Sequence, residues 1–586
     1  MKLFATIVLS CSALIATAQN PNPIRVNQVG YYPTAEKTAT IEKSGYAKSY
    51  EIKDKATGKT VWKGKALRTA VSPISGKERA IIDFSSITTP GEYIIKAGKY
   101  TQTFAVKDHA FAEVAKAGMK AFYLQRASVL ILTEHAGEYA RPMGHADTQV
   151  MVHPSAATNK RPAGTIINSA GGWYDAGDYN KYIVNSAFSI GLLLSAYEMN
   201  SAYFNAMDLN IPESKNNIPD FLDEIMVNLQ WMLTMQDPDD GGVYHKMTTP
   251  NFEAFVMPTE CHQQRYVVQK TTAAALDFAA TMALASRIYK QYPEYKTWSE
   301  EALKKAEYAY EWAKKNPTVY YLQNEMNKQY EPAINTGAYD DNNVDDEFRW
   351  ASIEIASANA DITTLKDMKT TMQSLNPGQK LNLPVWGEVS MMPTYGMIGY
   401  LNMAGYLDLM KQRMGRMIDS HIYDFLGKYL AEVPTSCYNA PYGNSATDFQ
   451  WGGNAEVCCG RGFAMLYAYR VTGLDKYLKG ALEIADYLLG RNATGYCYVT
   501  GFGSFSPQHP HQRLSAADGI DAPLPGFLVG GPNPGKQDAE YCKSYTSDYA
   551  DECYADDLGS YASNEIAINW NASLVAFLAW LDAEMK

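Results

Sequence analysis

The eight cysteines stand at positions 11, 261, 437, 458, 459, 497, 542 and 553, and no two have the Cys-x-x-Cys spacing of a zinc or redox motif. Setting Cys11 aside as part of a leader leaves seven, an odd number that one chain cannot fully pair. Buried free thiols are expected, with a local bridge from Cys542 to Cys553 as the alternative. Basic charge is in deficit: 52 Lys and Arg face 63 Asp and Glu, a net charge of −11. That balance argues against nucleic acid or an anionic membrane surface as the main partner and is compatible with a neutral substrate. Beyond the N-terminus no segment has the ~18 uninterrupted apolar residues of a membrane span, and no short-period repeat is found.

The chain has 586 residues, 46% of them hydrophobic, enough for a large core and too many for one small domain. Its 42 Tyr and 10 Trp serve first as packing residues. Such a surplus also suits sugar recognition, because aromatic faces stack on the apolar faces of pyranose rings. Lys2, the apolar run "LFATIVLSCSALIATA" and the small residues Ala16-Thr17-Ala18 read as an export signal over 1–18, with Gln19 as the mature N-terminus and a secreted or periplasmic destination. "VLSC" offers a competing lipoprotein cleavage before Cys11, although the apolar stretch ahead of it is short.

Residues 19–107 carry the runs "TATIEKS", "SYEIKD", "KTVWKGKA", "RAIIDF", "GEYIIKAG" and "QTFAV", separated by Gly, Pro, Asp and Lys, the pattern of a small β-sandwich. From 108 to 586 the period changes to helical, at 182–199, 272–289, 299–315, 348–359, 477–490 and 572–585. Helices with long Gly-, Pro- and aromatic-rich loops between them suggest a helical barrel or a closed array.

Three places hold residues suited to chemistry. In "GGWYDAGDYNKY", Asp175 and Asp178 stand three apart directly before a helix. Asp178 could be an N-cap. Two carboxylates on a rigid turn can instead hold and deprotonate one water. In "YASNEIAINWNASLVAFL", Glu565 is expected at the head of the last helix, where the helix dipole favours a carboxylate. An apolar, aromatic setting (Tyr561, Ile566, Trp570) would instead raise its pKa and make it a general acid. "SPQHPHQRL" carries His509, His511 and Arg513 in a proline-rich loop, either solvated or aiming donors at substrate hydroxyls. An acid, a base and hydroxyl-binding groups amid surplus aromatics point to glycoside hydrolysis.

The combination resembles glycoside hydrolase family 9, in the subgroup with an N-terminal immunoglobulin-like module. "NPIRVNQVGYYP", the "DAGD" segment, "DPDDGGVYHK", "RYVVQKTTAAALDFAATMALASR", "FQWGGN", "LLGRNATGYCYVTGFG", "PHQR", "VGGPN" and "YASNEIAINWNA" match it in order, over nearly the whole mature chain. The resemblance implies an immunoglobulin-like β-sandwich followed by an all-α (α/α)6 barrel. It implies inverting hydrolysis of β-1,4-glucans, with Asp178 as base, Asp175 as its partner in holding the water and Glu565 as acid; a monomer is expected. Inversion predicts Asp178 and Glu565 carboxyls roughly 6.5–9.5 Å apart. His511 and Arg513 match the family's sugar-binding pair, with Gln512 where a second His is common. His245, Trp451, Trp386 and Tyr561 are lesser substrate contacts for which core packing is the competing reading.

Several relatives bind zinc through two Cys and two His just before the DAGD segment. The matching positions here are Ala127, Gly144, His145 and Tyr174, so no zinc is expected from that set. "DDNNVDDEFRW" resembles a calcium loop, with Asn342, Asn343, Asp346 and Glu347 as oxygen donors, against the plainer reading of a solvated acidic loop. A catalytically weak glycan-binding paralogue is the alternative to an enzyme. The intact set of Asp175, Asp178 and Glu565 favours the enzyme.

Overall fold

The computed structural model describes residues 20–361, 383–409, 411–412, 419, 423–449 and 452–585. The leader with Cys11, and Trp451, lie outside the described residues. The first domain is built from β1 (Ile24–Arg25), β2 (Thr38–Glu42), β3 (Tyr50–Asp54), β4 (Thr60–Gly64), β5 (Arg68–Val71), β6 (Glu78–Asp83), β7 (Gly91–Ala97) and β8 (Tyr100–Val106). Two four-stranded antiparallel sheets, ordered β1-β2-β6-β5 and β4-β3-β7-β8, close over Ile41, Ile52, Ile82, Phe84, Ile95 and Phe104. β7 shows why alternation reads as a half-buried strand: Tyr93, Ile95 and Ala97 point inward while Glu92 and Lys96 are exposed. β6 does not alternate, and Arg79 through Ile82 are all buried. Its second face meets the helical domain, where the Arg79 guanidinium lies 3.5 Å from Glu552 and over the Tyr438 ring.

Ten helices of twelve residues or more follow among the described residues: α1 (Ala112–Leu124), α2 (Ile183–Asn205), α3 (Asp220–Thr234), α4 (Thr272–Tyr289), α5 (Lys296–Lys315), α6 (Asp345–Ala358), α7 (Met392–Met403), α8 (Asn454–Thr472), α9 (Asp475–Leu488) and α10 (Ile568–Glu584). Sequential neighbours α4 and α5, and α8 and α9, pack as pairs, while α2, α4, α6 and α7 close on one another and α10 packs on α1, α2 and α8. Buried Ala273, Ala274, Ala275, Ala279, Ala280 and Ala283 let helix axes approach α4 closely on several sides. This is the helical barrel that follows the sandwich. No helix among the described residues is long and apolar enough to cross a membrane.

Five short strands form a separate sheet: β9 (Val150–Val152), β10 (Ile166–Ile167), β11 (Lys181–Tyr182), β12 (Lys246–Thr248) and β13 (Tyr266–Val267), ordered β10-β9-β13-β12-β11. It fixes the segment leading into α2. All seven described cysteines are free, and six of them are buried, so the Cys542–Cys553 bridge does not form.

The two domains share a buried polar seam. Arg491 donates to the Tyr438 carbonyl at 2.8 Å, to Thr38 Oγ1 on β2 at 2.5 Å and to Asp486 at 2.8 Å, and it also pairs with Glu483. Asn27 donates to Asp486 at 2.8 Å, and Tyr32 of the first domain donates to Asp582 on α10. Burial raises the Glu483 pKa to about 7 and that of Asp486 to about 6, with Arg491 opposing. Replacing Arg491 with Met strands both carboxylates, and a loss of about 3–5 kcal/mol of unfolding free energy is expected. The loss will be larger at pH 8 than at pH 5, where protonation relieves the stranded charges; denaturant unfolding at the two pH values measures it.

Candidate active site

Three segments far apart in sequence are joined by main-chain contacts. The Gly177 carbonyl accepts from the Arg513 N–H at 3.0 Å and from its guanidinium at 2.8 Å, and the Asp175 carbonyl accepts from the Ile568 N–H at 2.8 Å. Short bridges pair Ala176 with Ala567, His511 with Glu565 and Val529 with Ile566. Gly177 is required by this approach: a Cβ there would lie 2.0 Å from the His511 carbonyl oxygen and 3.1 Å from Glu565 Oε1. Asp175, Asp178, His511, Arg513 and Glu565 are thereby brought together.

Asp175 is buried, with Oδ1 accepting from Asn185 Nδ2 at 2.7 Å and Oδ2 from the Tyr339 hydroxyl at 2.6 Å. Burial, and then the charge of Asp178, push its pKa up to about 8, so it gives up its proton reluctantly and carries little charge against its neighbour. Asp178 accepts through Oδ2 from Asn180 Nδ2 at 2.5 Å, from the Asn180 N–H at 3.3 Å and from the Tyr182 hydroxyl at 3.4 Å. Its Oδ1 takes no hydrogen bond from the described residues, which leaves a lone pair for a water. Asp178 is not an N-cap: α2 starts after Tyr182 with no side-chain cap.

Glu565 is not at the head of a helix. It follows the short turn Tyr561–Asn564 in extended conformation, and α10 begins only at Ile568. Its pKa is raised to about 8 by burial, then by Asp178, with Arg513 and the Gly177 N–H opposing. Desolvation and the facing carboxylates, not a helix dipole, set its protonation.

His511 shares a 2.6 Å hydrogen bond with the Leu558 carbonyl through Nδ1. A carbonyl can only accept, so Nδ1 carries the proton and Nε2 offers an acceptor to a ligand hydroxyl. Burial lowers the His511 pKa to about 4 and keeps the ring neutral. Arg513 also donates to the Glu253 carbonyl at 2.7 Å and lies over the rings of Phe252 and Phe255. Its first role is to hold the 175–178 turn. Gln512 turns inward, where Oε1 accepts from Ser515. His509 is exposed. The Tyr561 ring lies 6.0 Å from that of His511, and the Trp386 ring 5.0 Å from that of Tyr339. His245 stands behind the site: it is fully buried, its ring nitrogens engage Thr271 Oγ1 and the Ala338 carbonyl, and it stacks on Tyr321.

Sequence reasoning missed Asn180, Asn185, Tyr339 and Lys246. Asn180 and Asn185 lie within the quoted turn and the helix after it, so proximity could have found them. Tyr339 comes from a distant loop with no local signal, whereas Lys246 opens β12 and ends the quoted run "DPDDGGVYHK". Lys246 is buried beside the two aspartates and donates to Gln323, Thr336 and the Gly337 carbonyl.

A second acidic cluster lies beneath. Asp277 of α4 meets Asp341, Asp346 and Glu347, whereas Asn342 and Asn343 are exposed. Both Asp277 oxygens, Asp341 Oδ2, Asp346 Oδ1 and Glu347 Oε2 are buried without a hydrogen-bond partner. Burial raises all four pKa values, and repulsion from neighbouring carboxylates, Glu388 in the case of Asp346, adds to it. The lone Asp in the Ala-rich run 272–289 was the available signal.

Comparison with known proteins gives two family matches: glycosyl hydrolase family 9 over residues 111–578 and the cellulase N-terminal immunoglobulin-like domain over 19–102. The chain is 48% identical over 582 residues to a xyloglucan-specific endo-β-1,4-glucanase of Bacteroides ovatus, covering 99% of this chain and 97% of that one. It is 31% identical over 581 residues to Endoglucanase D of Acetivibrio thermocellus, covering 97% of this chain and 85% of the relative. A solved Bacteroides ovatus GH9 structure superposes with a TM-score of 0.87 at 46% identity, over 96% of this chain and 99% of the other.

Substituting Gly177 with Ala forces a methyl group into the His511 carbonyl. A loss of about 1–3 kcal/mol, or more if the clasp opens, is expected as a fall in the denaturation midpoint.

Proposed function

Because the chain belongs to glycosyl hydrolase family 9, a family shown by the match over most of its length, we propose that it is an inverting endo-β-1,4-glucanase in which Asp178 is the base and Glu565 the acid. The observation that carries the reading is the pairing across Gly177: a carboxylate with a free oxygen faces a carboxyl whose raised pKa keeps it protonated near neutral pH. Glu565 gives its proton to the glycosidic oxygen as that bond breaks. Asp178 takes a proton from the water that attacks the anomeric carbon from the opposite face. Asp175, braced by Asn185 and Tyr339, orients the pair. His511 Nε2 and the aromatic rings of Phe255, Tyr561 and Trp386 are suited to hydroxyls and sugar faces. Xyloglucan is the substrate favoured first, on the strength of the 48% identical relative. A leader over 1–18 would take the enzyme to its polymer outside the cytoplasm.

The same proposal assigns calcium to Asp277, Asp341, Asp346 and Glu347. Hard oxygen donors with unpartnered atoms fit that ion, which would neutralise their repulsion and hold Asp341 and the first turn of α6 against α4.

Glu565→Gln is expected to lower turnover about 10²–10⁴-fold while sugar binding persists. Asp178→Ala should do the same, with azide partly restoring cleavage. NMR of the newborn anomeric proton on xyloglucan and cellohexaose should record α-anomer first, and β-anomer first would rule out inversion. Since Glu565 acts as an acid, activity is present below its pKa and should fall as pH rises through about 8, a limb absent from any residual activity of Glu565→Gln. Calcium at a hundred times its Kd should add about 2.7 kcal/mol of stability. Calorimetry with calcium and with chelator should show that difference in the wild type and lose it in Asp277→Asn.

A further inference from the structure

Away from the carboxylate pair, three side chains of different chemistry converge on one point. His145, Glu253 and Cys261 place a ring nitrogen, a carboxylate oxygen and a sulfur within 4.8 Å of one another. His145 Nε2 and Glu253 Oε1 are both shielded from solvent and have no hydrogen-bond partner. Leaving two such atoms unsatisfied side by side is unfavourable unless something else binds both. His145 is already oriented: its Nδ1 engages the Tyr174 hydroxyl at 3.0 Å, and Ser128 Oγ donates to its carbonyl at 2.7 Å. A partner on the far ring nitrogen that fixes the near one is the arrangement of metal-bound imidazoles.

The geometry points to a divalent transition-metal site, of the zinc class, formed by His145 Nε2, Cys261 Sγ and Glu253 Oε1. A thiolate and a carboxylate balance the charge of a 2+ ion, and the neutral imidazole completes a mixed nitrogen, sulfur and oxygen set that suits zinc over calcium or magnesium. Donor atoms of a tetrahedral zinc site stand roughly 3.3–3.8 Å apart, so closure asks a contraction of about 1 Å from side chains on a loop, with the fourth position open to water. Ala127, Gly144 and Tyr174 contribute no ligand. Two of the three ligands come instead from the segment between β12 and β13. That segment packs onto Gly144, where a Cβ would lie 2.3 Å from Pro258 Cβ.

The consequence reaches the cleft. The same segment carries the exposed rings of Phe252 and Phe255, and Phe255 meets His511 edge-on at 5.1 Å. The Glu253 carbonyl holds Arg513, and the Val256 carbonyl holds the Tyr179 hydroxyl. An ion joining residues 253 and 261 to residue 145 would tie this aromatic wall to the base of the β9 strand.

The test uses the full mature chain, stripped with a chelator and titrated with Co²⁺. A thiolate-to-cobalt charge-transfer band saturating at one equivalent, displaced by Zn²⁺, is expected. Cys261→Ser should abolish the band, and His145→Gln should weaken binding at least about 10-fold. Zn²⁺ should slow amide exchange across 251–261 in the wild type and not in Cys261→Ala, which keeps the site measurable if the Ser variant folds poorly. Absence of the band in the wild type, or its survival in Cys261→Ser through another of the free thiols, overturns the assignment. Glu347→Gln, in the acidic cluster, should leave the band unchanged, and a loss there would also overturn it.

Discussion

The contact on which the site depends is the backbone clasp at Gly177. The two carboxyls proposed as acid and base, Glu565 and Asp178, belong to segments hundreds of residues apart. Their separation is set by amide hydrogen bonds from Arg513 and Ile568 to the 175–177 carbonyls, and by the Gly177 N–H directed at the Glu565 carboxyl. Backbone links are short and stiff, which is what a reaction demanding sub-ångström placement of two carboxyls needs. The guanidinium of Arg513 doubles one of these links, so its charge and its tether act at the same place.

The chain handles crowded carboxylates in two ways. At Asp175 and Asp178 it supplies donors, Asn185, Tyr339, Asn180 and Tyr182, and a buried Lys246 nearby, so that each acid has its own environment. At Asp277, Asp341, Asp346 and Glu347 it supplies fewer: the Val389 N–H reaches Asp346 and the Asn343 N–H reaches Asp341, while at least one oxygen of each acid stays without a donor. The first arrangement is self-contained. The second leaves buried carboxylate oxygens without a donor.

Much of this was legible in the sequence, and the failures have physical causes. Six sandwich strands announced themselves as short apolar runs between turn residues, alternating in β7 and continuous in β2 and β6. The two that did not, β1 and β5, are two and four residues long. Helix α4 matched its expected bounds, whereas α8 is buried on nearly every side and so has no polar stripe to betray it. Asp175, Asp178, Glu565, His511 and Arg513 converge because each lies in a motif whose local pattern is unusual. Glu565 was misplaced because an extended residue three positions before a helix is indistinguishable by periodicity from the helix head. Tyr339 and Cys261 gave no sign, since their importance arises only from tertiary contact.

The seam around Arg491 bears on how such proteins can be rearranged. A domain joined by a flexible linker can be shuffled between genes or trimmed away with little loss. Here Arg79 of β6 faces Glu552, Asn27 donates to Asp486, and Thr38 of β2 accepts from the Arg491 that pairs with Glu483 and Asp486, groups that would otherwise need water or new partners. The sandwich therefore behaves as a wall of the catalytic domain rather than as an accessory. A truncated or chimeric barrel would have to acquire a new polar surface on this side before it could stand alone.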